Sequence, residues 1–521
     1  MKKEYNMRTK NSILNFLANE GSHFWNILLS FLCRTVFIYT MSKEYLGMSG
    51  LFTNVLTVLS LAELGIGTAM MFHMYKPVNE HDHVLLNQLM NLYRRFYNGV
   101  ALFILIAGFS LMPFLQILIK DTPVTTEIRI VYGMYLINTA ASYILGYRCS
   151  IINAHQKGYV VTALNTVSTT VQFLTQMLVL WLTHNFILYL SIQIICNIAT
   201  NAVVAVKAGK MYPYIDVDKK TLPPKEIRQH IYKNVGATFL HKLGDVVINN
   251  TDDILMSGFF GLVTEGIYSN YQLIQFSINT ALNGLFGAFT AGIGDLGAED
   301  DREKIYSVYK TMNFMGFWMY SFSTVAFLVM FNPFITLWAG EDFIFPMYIV
   351  VVYEMCFYIA GMRKVTLTFR DALGLYWYDR YKPVAEVIID IVASLVCIHY
   401  FGIVGVMLGP LISSVSTCLW IEPLVTFKYG FGIKLREYFK KFFVYTLTTV
   451  VGGAFTYWVC SFVTFSGVWE IVVKLVLLII IYNSFVFILY WRTPECRDLF
   501  TRAMNVWNIL KSKRDNKGVE N

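Results

Sequence analysis

The chain is a ladder of apolar runs separated by short polar segments. About fourteen runs follow one another, near 13–41, 45–72, 88–118, 128–153, 159–183, 185–210, 233–260, 264–296, 306–332, 346–372, 383–400, 403–428, 440–464 and 468–491. A bilayer core about 30 Å thick needs roughly 20 apolar residues per helix, and these runs meet that length. Alternation in ten-residue blocks, the pattern of a lipid-facing barrel strand, is absent. The spacing predicts an all-α, polytopic membrane protein with about 14 transmembrane helices.

The polar segments orient the ladder. Basic residues gather at Lys2 to Lys10, at Lys76 with Arg94 and Arg95, at Arg148 with Lys157, and from Lys207 to Lys233. They gather again from Arg302 to Lys310, Arg370 to Lys382, Lys428 to Lys441 and Arg492 to Lys517. Thirty-four of the 42 Lys and Arg residues fall in these segments, and the alternate connections hold little beyond Lys43, Lys120 and Arg129. Cytoplasmic loops accumulate Lys and Arg, so both termini are expected in the cytoplasm. A long apolar run follows the basic N-terminus without a small-residue cleavage site, which predicts a first spanning helix rather than a removed signal. No connection is long enough for a soluble domain. The longest cytoplasmic one, about 211–232, contains Pro213, Pro223 and Pro224 and reads as a linker between halves.

Composition adds exclusions. The chain is 56% hydrophobic and 15% charged, with a mean hydropathy of +0.50, so it is embedded rather than anchored. The net charge of +8 reports the cytoplasmic loops. No loop joins a long basic run to stacking aromatics, so no nucleic-acid partner is expected. The eight cysteines are scattered and form no CxxC pair, which implies neither zinc nor a disulfide framework. His81-Asp-His83 lacks further convergent ligands, and no metal or cofactor is expected. Without a GxxxxGK[ST] loop the chain is not expected to hydrolyse ATP. A large catalytic domain is also missing, so the chain is not expected to be an enzyme.

An internal repeat divides the ladder. Tyr45-Leu-Gly with Gly50-Leu-Phe-Thr-Asn54 opens the second run, and Phe260-Gly with Gly266-Ile-Tyr-Ser-Asn270 opens the eighth. Arg148 with Gln156 to Tyr159 closes the fourth, and Arg370 with Tyr376 to Lys382 closes the tenth. His184-Asn-Phe-Ile187 and His399-Tyr-Phe-Gly-Ile403 precede the sixth and twelfth. Both copies start on the cytoplasmic side, which is a parallel duplication about an axis along the membrane normal. The expected division is 1–215 and 216–430 for two six-helix lobes, with 431–521 carrying two appended helices and a basic tail.

Ionisable residues inside apolar runs are costly and mark cavities, pairs or ion paths. Arg34 lies in the first run and Glu63 in the second. Lys242, Asp245, Asn249 and Asp252 share one helical face of the seventh, with Asp253 adjacent. Arg363 and Lys364 lie in the tenth, and Glu386 and Asp390 share a face of the eleventh. The plainer alternative is a set of structural pairs. Glu386 and Asp390 then neutralise Arg363 and Lys364, Lys242 pairs with Asp245, and Glu63 packs beside Gly65 and Gly67. Glu299-Asp300-Asp301 reads as the cap of the following helix.

Tyr45-Leu-Gly-Met-Ser-Gly-Leu-Phe-Thr-Asn54 with Leu61-Ala-Glu-Leu-Gly-Ile-Gly67 resembles bacterial polysaccharide-transport flippases of the multidrug/oligosaccharidyl-lipid/polysaccharide superfamily. Thr251-Asp-Asp-Ile254, Tyr268-Ser-Asn270, Gly402-Ile-Val-Gly405 and Ile412-Ser413 extend the resemblance over nearly the whole chain. It implies two pseudo-symmetric lobes around a central cavity. It also implies alternating-access movement of an undecaprenyl-pyrophosphate-linked oligosaccharide from the cytoplasmic to the outer leaflet of a bacterial plasma membrane. A polysaccharide polymerase and glycosyltransferases are then expected partners. Arg34 is the expected phosphate ligand, because a guanidinium matches phosphate geometry bidentately. Lys242, Arg363 and Lys364 are the further cations. Glu63, Asp245, Asn249, Asp252, Asp253, Glu386 and Asp390 are left to sugar contacts or to a coupling ion, H+ or Na+. The competing expectation is ion-coupled multidrug export within the same superfamily. A membrane glycosyltransferase or polymerase ranks third.

Overall fold

A computed structural model describes residues 2–63, 65–120, 122–215, 221–298, 301–502 and 504. The long apolar runs become helices because lipid offers no partner for a backbone amide, and a helix satisfies its amides internally. The helices are α1 (Lys2–Thr40), α2 (Lys43–Leu59), α3 (Ile66–Glu80), α4 (His83–Leu111), α5 (Leu115–Leu118), α6 (Thr126–Gly146), α7 (Cys149–Ala154), α8 (Gly158–Thr183) and α9 (Phe186–Met211). They continue with α10 (Lys225–Ala298), α11 (Arg302–Ala339), α12 (Met347–Ala372), α13 (Lys382–Phe401), α14 (Ile403–Ser413), α15 (Leu419–Val425), α16 (Arg436–Ser461) and α17 (Val468–Tyr490). No strand occurs among the described residues, so the protein is all-α. Among those residues seven helical segments are long and apolar enough to cross a membrane.

Polar caps fix several helix starts that the apolar pattern only approximates. Asp82 accepts from the Leu85 amide at 2.9 Å, Asn185 from Leu188 at 3.1 Å and Asp301 from Lys304 at 3.0 Å. Asp301 thus caps α11, in keeping with its acidic run; Glu299 and Asp300 lie outside the described residues.

Several expected runs are broken or joined. The second stops at Leu59, passes through a 3-10 turn at Ser60–Glu63, and resumes at Ile66 after Gly65, whose φ is 89°. The seventh and eighth join as α10, two helical arms separated at Gly261 with φ 84° and ψ 169°. Only glycine enters these left-handed regions without a Cβ clash. The twelfth contains Pro410 and Pro423 and is cut by wide π-turns at Ser414–Cys418 and Thr426–Phe431.

The chain forms two compact units, Met1–Leu273 and Ile274–Asn521. This division follows compactness, whereas the sequence division at 215 follows duplication; the first arm of α10 belongs to the N-terminal unit. Within that unit α1 packs on α8, α4 on α6, and α9 on both α6 and α8. Within the other, α11 packs on α12 and α13 on α14. The last two long helices, α16 and α17, pack on α11 and on each other. Phe314, Phe317, Tyr445, Tyr482 and Tyr490 build their shared core, with the Phe317 and Tyr445 rings stacked 4.2 Å apart.

Candidate functional site

In the N-terminal unit the repeat motifs bring two backbones into contact. A Cβ at Gly47 would sit 1.9 Å from the Leu262 carbonyl oxygen, and one at Gly266 would sit 2.5 Å from the Lys43 carbonyl oxygen. Small residues permit this approach, as they do at close helix crossings in membranes. The first turn of the second arm of α10, from Leu262 to Gly266, is therefore clamped on α2. The clamp sets Glu265 against Gly50, where a Cβ would lie 2.5 Å from Oε1.

Arg34 of α1 reaches the same arm. Its Nε donates to Asn270 Oδ1 at 2.9 Å, and its Nη2 donates to Ser269 Oγ. Both acceptors are neutral, and both come from the Tyr268-Ser-Asn270 motif. Nη1 makes no hydrogen bond among the described residues, and the side chain is only partly buried. Tyr135, Tyr189 and Cys33 surround it, and the Glu265 charge lies close enough to act on it. Glu265 is fully buried and Asp253 is 2% exposed. Neither Glu265 oxygen has a hydrogen-bond partner, and Asp253 Oδ1 has none.

Glu63 takes a different role. Its Oε1 accepts from Tyr97 at 2.6 Å, and Tyr97 accepts from Tyr93 at 3.1 Å. This relay ties the 3-10 turn to α4. Asp252 is partly buried beside Asp253. The side chains of Lys242, Asp245 and Asn249 lie outside the described residues.

The C-terminal unit holds a second buried arginine on different terms. Arg363 grips Glu422 of α15 with Nε to Oε2 at 2.9 Å and Nη2 to Oε1 at 2.7 Å. Its Nη1 donates to Ser414 Oγ at 3.0 Å. Lys382 Nζ meets Glu422 Oε1 at 2.5 Å, and Glu386 stands 3.8 Å from Arg363 and 3.5 Å from Lys382. Two cations face two carboxylates, so the cluster is neutral as well as buried. Arg363, expected beside Arg34 as a phosphate ligand, has every nitrogen engaged by protein. Lys364, next along α12, is partly buried. Asp390 does not join the cluster: it is buried against Ser394, whose hydroxyl is 3.5 Å away.

Sequence reasoning passes over Glu265, Glu354 and Glu422. Each is a lone carboxylate inside an apolar run, the same signal that identifies Arg34. Glu354 on α12 is fully buried and accepts one hydrogen bond, from Gln275 Nε2 at 3.2 Å. Lys382 reads in the sequence only as a cytoplasmic loop charge.

No protein-family model matches the chain, and no curated protein matches it. Solved structures do. The chain shares its fold with solved transporters, one of them described as a member of the MOP superfamily, and seven of its described helical segments are long and apolar enough to cross a membrane. The lipid II flippase MurJ, in an inward closed conformation, aligns over 94% of this chain and 100% of its own, with a TM-score of 0.62 and 15% identity. An inward-facing multidrug resistance MATE family transporter covers 77% of this chain and 94% of its own, with a TM-score of 0.58 and 13% identity. A mutant form of the Vibrio cholerae MATE transporter VcmN covers 82% and 99%, with a TM-score of 0.56 and 15% identity.

Proposed function

We propose that the protein is a flippase that carries an undecaprenyl-pyrophosphate-linked oligosaccharide from the cytoplasmic to the outer leaflet of a bacterial plasma membrane by alternating access. Arg34 carries the reading. A pyrophosphate crossing a low-dielectric interior must keep its charge compensated. Arg34 is partly buried, with one donor edge unengaged and only neutral acceptors on the others, so its positive charge remains for an anion. Potential favours the direction, since each negative charge moved outward gains about 2.3 kcal/mol per 100 mV of inside-negative potential. The polymerase and glycosyltransferases that make and use such a lipid are the proposed partners, and in this reading both termini lie in the cytoplasm.

Ion-coupled multidrug export is the second reading, favoured by the MATE likeness at a TM-score of 0.58. Deleting the gene in its host separates the two. A lipid-linked glycan accumulating on the cytoplasmic leaflet, cleared by the intact protein and not by Arg34→Ala, supports the flippase. Unchanged glycan lipids together with new sensitivity to organic cations overturns it in favour of export.

A further inference from the structure

The buried acids of the N-terminal unit lack the donors that two ionised carboxylates need. Asp253 and Glu265 sit within hydrogen-bonding reach of each other across the Gly261 break. Ionised carboxylates only accept, so the two side chains cannot bond each other while both are charged. The Gln272 side chain serves Asp253. Glu265 is left with both oxygens orphaned at 0% exposure, and Gly50 closes the space behind it. Orphaned buried acceptors are expensive, and two adjacent negative charges more so.

A single proton resolves the geometry. It turns one acid into a donor for the other and halves the buried charge. Like-charged carboxyls that share a site behave in this way as a pair rather than as two separate groups.

The groups facing the pair come from several elements. The first arm of α10 gives Asp252 and α1 gives Arg34, which is itself lined by Tyr135 of α6 and Tyr189 of α9. Clamped α2, which begins at Lys43, presents Gly50 to Glu265, and its Ser49 accepts from Tyr135 at 2.8 Å. Arg34 is thus the cation whose field falls on Glu265. Its anchor Ser269 stands four residues after Glu265, on the same helical face. Asn270 is fully buried, and its Nδ2 has no partner while its Oδ1 holds Arg34.

We propose that Asp253 and Glu265 hold one proton between them, and that this proton is bound and released together with the anion at Arg34. The linkage rests on the phosphate reading of Arg34; the shared proton does not. When the pair loses its proton, a second negative charge draws the guanidinium towards Glu265 and repels an incoming phosphate. When the proton is present, Arg34 is released to the anion. By reciprocity, an anion on Arg34 tightens the hold on the proton.

Infrared spectroscopy of the full-length protein in lipid tests this through the carbonyl stretch of a protonated carboxyl. At neutral pH the wild type should show such a band that is missing in Glu265→Gln and also in Asp253→Asn; using both variants isolates the pair from other buried acids such as Glu354. Two variants with the same protonated-carboxyl signal as wild type overturn the shared proton. A band removed by NaCl at constant pH makes Na+ the occupant and overturns the proton assignment. Inorganic pyrophosphate is the probe for linkage. It should raise the midpoint of the band's pH titration by about one unit, and Arg34→Gln should abolish that shift. A shift that survives Arg34→Gln overturns the linkage. A wild-type band that titrates normally but ignores pyrophosphate instead overturns the phosphate reading of Arg34 and leaves the shared proton standing.

Discussion

Arg34 and Arg363 are both arginines set in apolar runs, and the protein treats them oppositely. Arg363 is clamped bidentately by Glu422, with Lys382 and Glu386 completing a neutral buried square. Arg34 is held by a serine hydroxyl and an asparagine carbonyl, which orient it without cancelling its charge. A cation matched by buried carboxylates is scaffolding, because any ligand must first displace an ion pair that has already lost its water. A cation held by neutral dipoles keeps its field for a ligand. The same residue type in an apolar run therefore marks structure in one unit and a candidate site in the other.

The largest effect should come from removing the neutralising partner. Glu422→Ala leaves Arg363 and Lys382 buried with Glu386 alone to offset two charges, a cost of about 3–5 kcal/mol. Thermal unfolding in detergent should show a marked drop; wild-type stability would mean that the cluster is not the scaffold described. Arg34→Ala inverts the pattern. Loss of a hydrogen bond to a charged group is worth about 1.5–3 kcal/mol, so transport should fall at least about tenfold while unfolding barely shifts. Arg34→Lys should recover little, since a point charge cannot grip phosphate bidentately. Native transport by Arg34→Ala erases the contrast between the two arginines.

The clamp beneath Arg34 gives the next test. Gly47→Ala forces a Cβ onto the Leu262 backbone, which has no rotamer with which to yield, and should cost about 1–3 kcal/mol. Gly21→Ala in α1 meets nothing within 4 Å and should be neutral or slightly stabilising. Equal behaviour of the two variants would show that α2 and α10 are not in backbone contact. The smallest effect concerns pH. Burial pushes the His155 imidazole below its ordinary value, with Lys157, His81 and His83 adding to the push. Its Nδ1 donates to the Ile151 carbonyl at 2.8 Å, and Tyr214 donates to Nε2 at 3.2 Å. The neutral ring is the native form. As pH falls through about 6.5 the unfolded chain takes up its proton first, so stability declines towards acid. Unfolding temperature should fall between about pH 7 and 5 more steeply in wild type than in His155→Phe; superimposable profiles would rule out His155 as the cause.

Much of this is legible because lipid leaves few choices. Runs 159–183 and 185–210 match α8 and α9 within a residue at either end, since an apolar stretch in hydrocarbon must close its own hydrogen bonds. Gly65 and Gly261 are visible as glycines, yet their positive φ is not, because a glycine inside an apolar run is also tolerated as plain helix. Arg34 is found by its cost in the membrane. Its partners Ser269 and Asn270 are seen only as letters of a repeated motif.

The sequence alone determined the helical class, the ladder and its charge asymmetry, because hydropathy and loop charge are properties of segments read one at a time. It also singled out the ionisable residues, since a charge in an apolar run is visible without knowing its neighbours. Tertiary structure alone decided what each charge faces. Glu422 lies 59 residues from Arg363 and Asn270 lies 236 from Arg34. No periodicity reaches across such distances; the glycine contacts of α2 with α10 and the turns that carry α15 back to α12 do. Whether an arginine is neutralised or left charged follows from those approaches, because Coulomb interaction depends on separation in space and not along the chain.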